Sequence, residues 1–307
     1  MQNDTRIAVD VAKSVFEVAV SVRPGQVARR ERLTRDQFLP FMAQQPAATV
    51  VMEACGSSHH WGRKLETLGH QVVLLPPHHV RPYVRGNKTD RTDAKGILEA
   101  SRNADIHPVP VKSVAQQVLT SLHRLRSGWM GERTARLNAL RGLLRELGLF
   151  IPVGARNVVP AVWAQVEGAD SEIPDGLRNV MAEACHEIRD IEGRIKLVER
   201  QLEATAEQLP PVALLLTVPG IGILTATALV AFLGDGYLRT LLIHGARSVL
   251  LHARNAQPDR LREWAHKLET THVHNKAAVA VANKLARIVW AVWSRQSPYA
   301  SLAQAAA

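Results

Sequence analysis

Four acidic residues stand where a chain could gather carboxylates around a metal ion. Asp10 ends the apolar run RIAVD, Glu53 ends the run TVVME, and Asp90 and Asp93 are three residues apart at a predicted helix start. At this spacing Asp90 and Asp93 fall on one helical face. Carboxylate oxygens suit Mg²⁺, and two ions about 3.5–4 Å apart can clamp the attacking and leaving oxygens of a phosphodiester. The set therefore predicts a site for two Mg²⁺ ions that acts on nucleic acid.

Each acid also has an ordinary structural explanation. An aspartate after a strand, such as Asp10, is commonly a turn residue. Asp90 and Asp93 would each stabilise the helix dipole by roughly 0.3–1 kcal/mol. Glu53 is harder to explain in this way, because burying an unpaired carboxylate in a strand costs several kcal/mol. It is the ordered set of four that favours the metal site.

The segments that carry these acids have the pattern of an α/β domain. Val and Ile recur with partial alternation in Arg6–Val22, which predicts two strands joined by a turn near residues 12–14, and a third strand is expected after Gly25. Further strands are predicted at Ala48–Cys55 and Gln71–Leu75, and helices at Thr34–Gln45, Ser57–Leu68 and Thr89–Asn103.

The rest of the chain is predicted to be helical. From Val111 onward, apolar residues recur every three or four positions, and Gly176–Leu209 repeats the pattern, so the two segments should pair. Three prolines in Phe150–Pro174 indicate the loop between them. After Pro210, a turn containing Gly220 and Gly222 leads into a helix. We therefore expect three domains, at residues 1–110, 111–209 and 210–307.

The charge of the chain predicts a polyanionic partner. Its formal net charge is +10, and residues 78–147 hold 13 Lys and Arg against 6 Asp and Glu. Near the acidic residues we expect a phosphate to be steered by Arg81, Arg85, Lys88, Arg91 and Lys95. Along the first long helix, the residues expected to contact nucleic-acid backbone are Arg124, Arg126, Arg133, Arg136, Arg141 and Arg145, although a solvated helix face is the alternative. Gly220 and Gly222 could let the backbone approach a phosphate, or could only form a turn.

The remaining composition excludes several protein classes. Cys55 and Cys185 are too few and too far apart for a disulfide framework or a zinc cluster. No apolar run approaches the roughly 18–20 residues that span a bilayer, and the first residues lack the pattern of a secretory signal. We therefore expect a cytoplasmic protein with no membrane partner.

Several sequence runs resemble one family over nearly the whole chain. The runs IAVDVAKSVFEVAV, VVMEACGSSHHW and RGNKTDRTDAKGI are similar to the three acidic motifs of the DEDD transposases of the insertion-sequence one-ten family, and in particular of its eleven-eleven subgroup, which is related to the Piv/MooV invertases. TVPGIGILTATAL and GYLRTLLIHGAR are similar to its C-terminal segments.

The resemblance implies an α/β RNase-H/RuvC-like domain, a helical coiled-coil insertion and a mostly α C-terminal transposase domain. It implies that the four acids are the metal ligands of an enzyme that cleaves and exchanges DNA strands. It also implies three kinds of partner: donor and target DNA, a noncoding bridge RNA that guides the reaction, and further copies of the chain in a dimer or tetramer.

One departure from the family concerns the serine that forms a covalent link to DNA. In the family this serine lies in a stretch of several tens of residues, whereas here LVAFLGD runs directly into GYLRTLLIHGAR. The junction lies within Gly234–Gly236. Either the printed sequence omits the stretch, which we favour, or the protein lacks it. We assign no nucleophilic serine, because none of those present has an evident activating neighbour.

Two other functions remain open. A RuvC-like hydrolytic nuclease or junction resolvase would use the same carboxylates without the serine, although the C-terminal resemblance argues against it. A catalytically impaired nucleic-acid-binding derivative of a transposase would be consistent with the missing stretch.

Overall fold

The computed structural model describes residues 5–84, 90–168, 170–231, 236–253 and 259–299. The chain divides into two compact units, residues 1–115 and residues 116–307. This division lies close to the predicted boundary at residue 110. The second predicted boundary, at residue 209, falls inside the second unit and stays a prediction.

The first unit is built on a five-stranded sheet. Its strands are β1 (Arg6–Val11), β2 (Val15–Ser21), β3 (Arg29–Thr34), β4 (Thr49–Glu53) and β5 (Gln71–Leu75). They lie in the order β3-β2-β1-β4-β5. Strand β2 is antiparallel to β1 and β3, whereas β1, β4 and β5 are mutually parallel. This mixed α/β arrangement is compatible with the predicted RNase-H-like domain.

Helices cover both faces of the sheet. They are α1 (Arg35–Ala43), α2 (Ser58–Thr67), α3 (Pro77–Val80) and α4 (Asp90–Ala100). Phe38 of α1 and Trp61 of α2 pack against Val9 and Met52 on one face. On the other face, α4 packs against alternate residues of the same strands. Because side chains alternate along a strand, each face has its own apolar core.

The start of α1 follows from a local sequence signal. The backbone N–H of Thr34 donates to Oε1 of Gln37 at 3.1 Å, in a reciprocal capping box. Two otherwise unsatisfied amide groups are thereby satisfied at the N-terminus of the helix. The helix that the sequence predicts from Thr34 therefore begins where expected.

The second unit holds the predicted helical pair. Its members are α5 (Val114–Glu146) and α7 (Asp175–Glu207), each of 33 residues. Leu140 of α5 packs with Ile188 of α7 in one buried cluster. The segment between them was predicted as a loop, but it contains α6 (Val158–Glu167). That part of the prediction was wrong because Pro160 lies in the first turn of α6, where a proline is tolerated.

In the described part of the second unit, five further helices follow α7. They are α8 (Pro210–Leu216), α9 (Ile223–Ala231), α10 (Gly236–His252), α11 (Arg260–Thr271) and α12 (His274–Arg295). They share a buried core with parts of α5 and α7. Among the described residues, no helix combines the length and the apolar character needed to cross a membrane.

Candidate active site

The strand register brings Asp10 and Glu53 together. Strands β1 and β4 are parallel, and Val9 lies opposite Met52. Asp10 and Glu53 are the next residues of the two strands, so the same register places them side by side at the carboxyl-terminal edge of the sheet. Both residues are half-buried. Adjacent parallel strands therefore supply a pair of carboxylates from positions 43 residues apart in sequence.

Helix α4 lies on the same side of the sheet as this pair. Ala8 of β1 and Val51 of β4 pack in one cluster with Ile97 of α4. The two strand-end acids stand two residues beyond Ala8 and Val51, and side chains two apart in a strand share a face. Asp93 precedes Ile97 by one helical turn, so these two residues lie on one side of α4, and the Oδ1 atom of Asp93 is buried. The structure therefore places Asp10, Glu53 and Asp93 on one face of the sheet.

The fourth predicted ligand, Asp90, is the first residue of α4. Its side chain lies outside the described residues. Within the described part of the chain, no three His, Cys, Asp or Glu residues are grouped closely enough to hold a metal ion. The ligand set of four stays a prediction.

The charges of Asp10 and Glu53 act together at the end of β4. The pKa of the Cys55 thiol is raised, first by its partial burial and then by the negative charges of Glu53 and Asp10. Both carboxylates therefore act on the same sulfur atom, two residues beyond the end of β4. Oxygen donors in a negative local potential fit a hard divalent cation such as Mg²⁺. The chemistry of the donor set therefore agrees with the predicted cofactor.

One further acid lies on this face and was not predicted from the sequence. Glu17 of β2 lies directly opposite Asp10 in the antiparallel ladder, and opposed residues point to the same face. Its Oε1 atom is 3.4 Å from Nε of Arg32 on β3, an ion pair that balances the charge of Glu17. The sequence signal for the position of Glu17 was the alternation in VFEVAV, because Phe16 and Val18 on either side of it are buried on the opposite face. Glu17 therefore lies beside the site, and Arg32 balances its charge.

The cations predicted around the acids are only partly described. Arg85 and Lys88 lie outside the described residues, as does the side chain of Arg91. Arg81 is exposed just after α3. Lys95 is exposed and lines a cavity of about 600 Å³ together with Tyr83, Thr92 and Glu99. Lys95 lies two residues beyond Asp93, so it faces a different side of α4.

Most of the α5 arginines have partners within the chain. Arg126 pairs with Glu199 of α7 at 2.7 Å, Arg133 with Glu192 at 2.5 Å, and Arg136 with Glu187 at 2.8 Å. Arg141 donates a hydrogen bond to the backbone oxygen of Gly154 at 2.7 Å. Arg124 and Arg145 are exposed, and among the described residues neither is in an ion pair. The nucleic-acid role of this group stays a prediction, with Arg124 and Arg145 its most accessible members.

The two glycines of the predicted phosphate turn differ. Gly220 has φ +81°, and a Cβ there would lie 2.7 Å from the backbone oxygen of Gly245 in α10. This close approach of the turn to α10 requires glycine for packing alone. Gly222 is exposed, and a Cβ there would meet nothing within 4 Å. Only Gly222, at the start of α9, leaves its backbone open to a ligand.

Comparison with known proteins gives matches over nearly the whole chain. The IS110-type DEDD transposase family model, described as a transposase, matches residues 7–148. A "Probable family 20 transposase" of Pseudomonas aeruginosa is 38% identical, over 97% of this chain and 99% of the relative. The transposase of insertion sequence element IS1111A of Coxiella burnetii is 32% identical, over 95% of this chain and 90% of the relative. The transposase of element IS1328 of Yersinia enterocolitica is 32% identical, over 95% and 97%.

The aligned lengths also bear on the suspected missing stretch. The three alignments run over 335, 330 and 329 residues, although the chain has 307 and only 97%, 95% and 95% of it is aligned. Each relative therefore has about 37 or 38 residues without a counterpart here. The nearly constant number favours one absent segment. Its predicted position, at Gly234–Gly236, overlaps residues 232–235, which lie outside the described residues.

The acids at the sheet edge and the match to three relatives over almost all of the sequence agree with one another. This chain belongs to the DEDD transposase family of insertion sequences.

Proposed function

We propose that this protein is an insertion-sequence transposase that cleaves and exchanges DNA strands at the sheet edge formed by Asp10 and Glu53. The observation that carries this proposal is the parallel register of β1 and β4, which aligns the two carboxylates on the α4 side of the sheet. The family of the chain supplies the type of reaction.

In this proposal Asp10, Glu53, Asp90 and Asp93 hold two Mg²⁺ ions in an RNase-H/RuvC-like domain. When bound, the ions would stabilise negative charge on the oxygens of the phosphodiester. The carboxylates by themselves repel a phosphate, so the surrounding cations must bring the DNA to the edge. Arg81 and Lys95 are exposed for this role, and Arg85, Lys88 and Arg91 complete the proposed set.

We also propose that a noncoding bridge RNA specifies the DNA and that the chain acts as a dimer or tetramer. The net charge of +10 supports a nucleic-acid partner, because Lys and Arg bind phosphates with little dependence on sequence. On α5, Arg124 and Arg145 are the proposed backbone contacts, since the other four arginines have partners in the chain.

Substitution of Asp10 tests the catalytic edge. The purified protein would be incubated with donor and target DNA, the RNA encoded by the element, and Mg²⁺, and cleaved strands and recombinant joints would be counted. Asp10→Asn should abolish both products and leave DNA binding intact, because the amide keeps the shape but removes the negative charge. The matched control is Asp105→Asn at an exposed turn of the same unit. Equal activity of the Asp10 variant and the wild type would refute the proposed role of the edge.

The residues absent relative to the three transposases favour one alternative, a nucleic-acid-binding derivative that no longer makes a covalent link to DNA. Denaturing gels of the same reaction distinguish the candidates. A protein–DNA adduct supports the transposase, free nicked DNA without an adduct indicates a hydrolytic nuclease, and binding without cleavage indicates the impaired derivative.

A further inference from the structure

Basic side chains lie on three separate segments that begin at the sheet edge carrying Asp10 and Glu53. The segments are the β1–β2 turn, the start of α1 after β3, and α2, which follows β4. Because β1, β3 and β4 run in the same direction, the segments that follow them begin at one edge. We name this group the edge cluster, and its members are Lys13, Arg35, His60, Arg63 and Lys64.

Three members of the edge cluster produce a positive potential at a fourth, His60. The pKa of His60 is lowered, first by loss of solvent and then by the positive charges of Arg63, Lys64 and Arg35. All the charges that shift this pKa are positive. Among the described residues, no ion pair joins Lys13, Arg35, Arg63 or Lys64 to a carboxylate. Within the same described part of the chain, Asp36 and Glu66 are exposed sequence neighbours of the cluster that form no ion pair with it.

Two members of the cluster are held in place by their surroundings. The Arg35 guanidinium lies 5.6 Å from the ring centroid of Phe16 and 5.2 Å from that of Trp61, and it donates to the backbone oxygen of Lys13 at 3.0 Å. Arg63 donates to the backbone oxygen of Lys112 at 2.5 Å. A cation fixed in this way loses little side-chain entropy when it binds a ligand.

Helix stability explains part of the cluster but not Arg35. Arg63 and Lys64 lie in the second half of α2, where a cation interacts favourably with the helix dipole. Arg35 is the first residue of α1, and there a cation opposes the dipole. A residue type that is unfavourable for its own helix, and is nevertheless oriented by two aromatic rings, points to a ligand of negative charge.

We propose that the edge cluster binds the phosphate backbone of the DNA strand that is cut, on the side opposite α4. This inference rests on the proposed function. Lys13 is three residues from Asp10, and a strand whose scissile phosphate lies at Asp10 and Glu53 must continue past the edge. The carboxylates repel the phosphates next to the one that reacts, and the cluster supplies the compensating charge.

Lys13 and Lys64 are suited to a test because both side chains are exposed. The full-length Lys13→Gln/Lys64→Gln variant would be titrated against a fluorescein-labelled DNA duplex of random sequence, over a series of KCl concentrations. The control, Arg23→Gln/Lys196→Gln, removes the same charge from exposed positions at the opposite edge of the sheet and on α7. We expect the Kd of the edge variant to rise by about tenfold or more. The slope of log Kd against log KCl concentration should become shallower by roughly 0.9 for each phosphate that the variant no longer neutralises.

Three results would overturn the inference: wild-type affinity in the edge variant, an equal loss in the control, or a loss confined to a labelled RNA duplex of the same sequence. The Asp10→Asn cleavage assay separates this inference from the proposed function. If the edge variant binds DNA normally while the Asp10 variant is inactive, only the edge cluster is refuted. If the Asp10 variant retains activity, the proposed function itself fails.

Discussion

The arginines of α5 and the edge cluster differ in what surrounds them. Arg126, Arg133 and Arg136 each meet a glutamate of α7, so their charge is balanced within the protein. Arg35 and Arg63 have aromatic or backbone partners instead, which fix the side chains without neutralising them. In α5, arginines that are close together in sequence therefore lie at a helix–helix interface. In the edge cluster, cations that are dispersed in sequence form the more exposed positive surface.

Each region also contains a histidine that reports on its environment. His123 of α5 is buried, and its Nε2 lies 3.0 Å from Oγ1 of Thr227 while its Nδ1 lies 3.2 Å from the hydroxyl of Tyr237. The Thr227 hydroxyl donates to the backbone oxygen of Ile223, so it accepts from Nε2–H, and Nδ1 accepts from Tyr237. Burial, and then the charge of Arg126, lowers the pKa of His123 to about 4. The neutral ring is thus built into the packing of α5 against α9 and α10.

The largest predicted effect is the pH dependence of stability caused by His123. The folded protein resists protonation of this ring, whereas the unfolded chain binds the proton below its ordinary pKa of 6.5. The stability that comes from burying His123 in its neutral form is therefore fully present above pH 6.5 and is lost as the pH falls toward 4. It should amount to as much as ~3 kcal/mol in the free energy of unfolding. Urea unfolding of the wild type and of His123→Gln across this range measures it.

In the His123→Gln variant this component of the pH dependence should disappear. If the free energy of unfolding depends on pH in the same way in both proteins, the His123 ring is accessible to solvent. The contrast between a buried histidine in α5 and an exposed one in the edge cluster would then not hold.

A second effect, of about 0.5–1 kcal/mol, is the coupling between Arg133 and Glu192. A double-mutant cycle with Arg133→Gln and Glu192→Gln, read by thermal or urea unfolding, gives this energy directly. Arg133→Gln should also leave the affinity for the DNA duplex within twofold of wild type, because its charge is already balanced. If this variant weakened DNA binding as much as the edge variant, the comparison between the two regions would be wrong.

The smallest effect is a change in the pKa of His60 when DNA binds. In the free protein partial loss of solvent, and then the neighbouring cations, hold the pKa of His60 below 6.5. Phosphates at the edge cluster would offset those charges, so the pKa of His60 should rise, and protonation of His60 should in turn favour binding. NMR titration of the imidazole signals with and without the duplex measures the rise. No change in His60, together with unaltered signals from His123, would place the DNA elsewhere.

Local patterns were enough to predict much of the fold. The two-residue alternation in Arg6–Val22 predicted β1, β2 and their turn, and the residue types around Thr34 predicted the start of α1. The α6 helix was missed because prolines were taken as loop signals, although a proline in a first turn is compatible with a helix. Gly220 shows what the sequence could not settle, since its close approach to Gly245 of the same chain gives the glycine a packing reason, while its proposed nucleic-acid role stays a prediction.

By itself the sequence determined the family, the elements of the sheet and the candidate acids, because these depend on residue types at short, regular spacings. Only the tertiary structure decided that Asp10 and Glu53 lie side by side on the face covered by α4, that Glu17 joins them, and which cations are neutralised. Strand register and ion pairing join residues tens of positions apart. No local periodicity encodes them, because they depend on how whole elements pack.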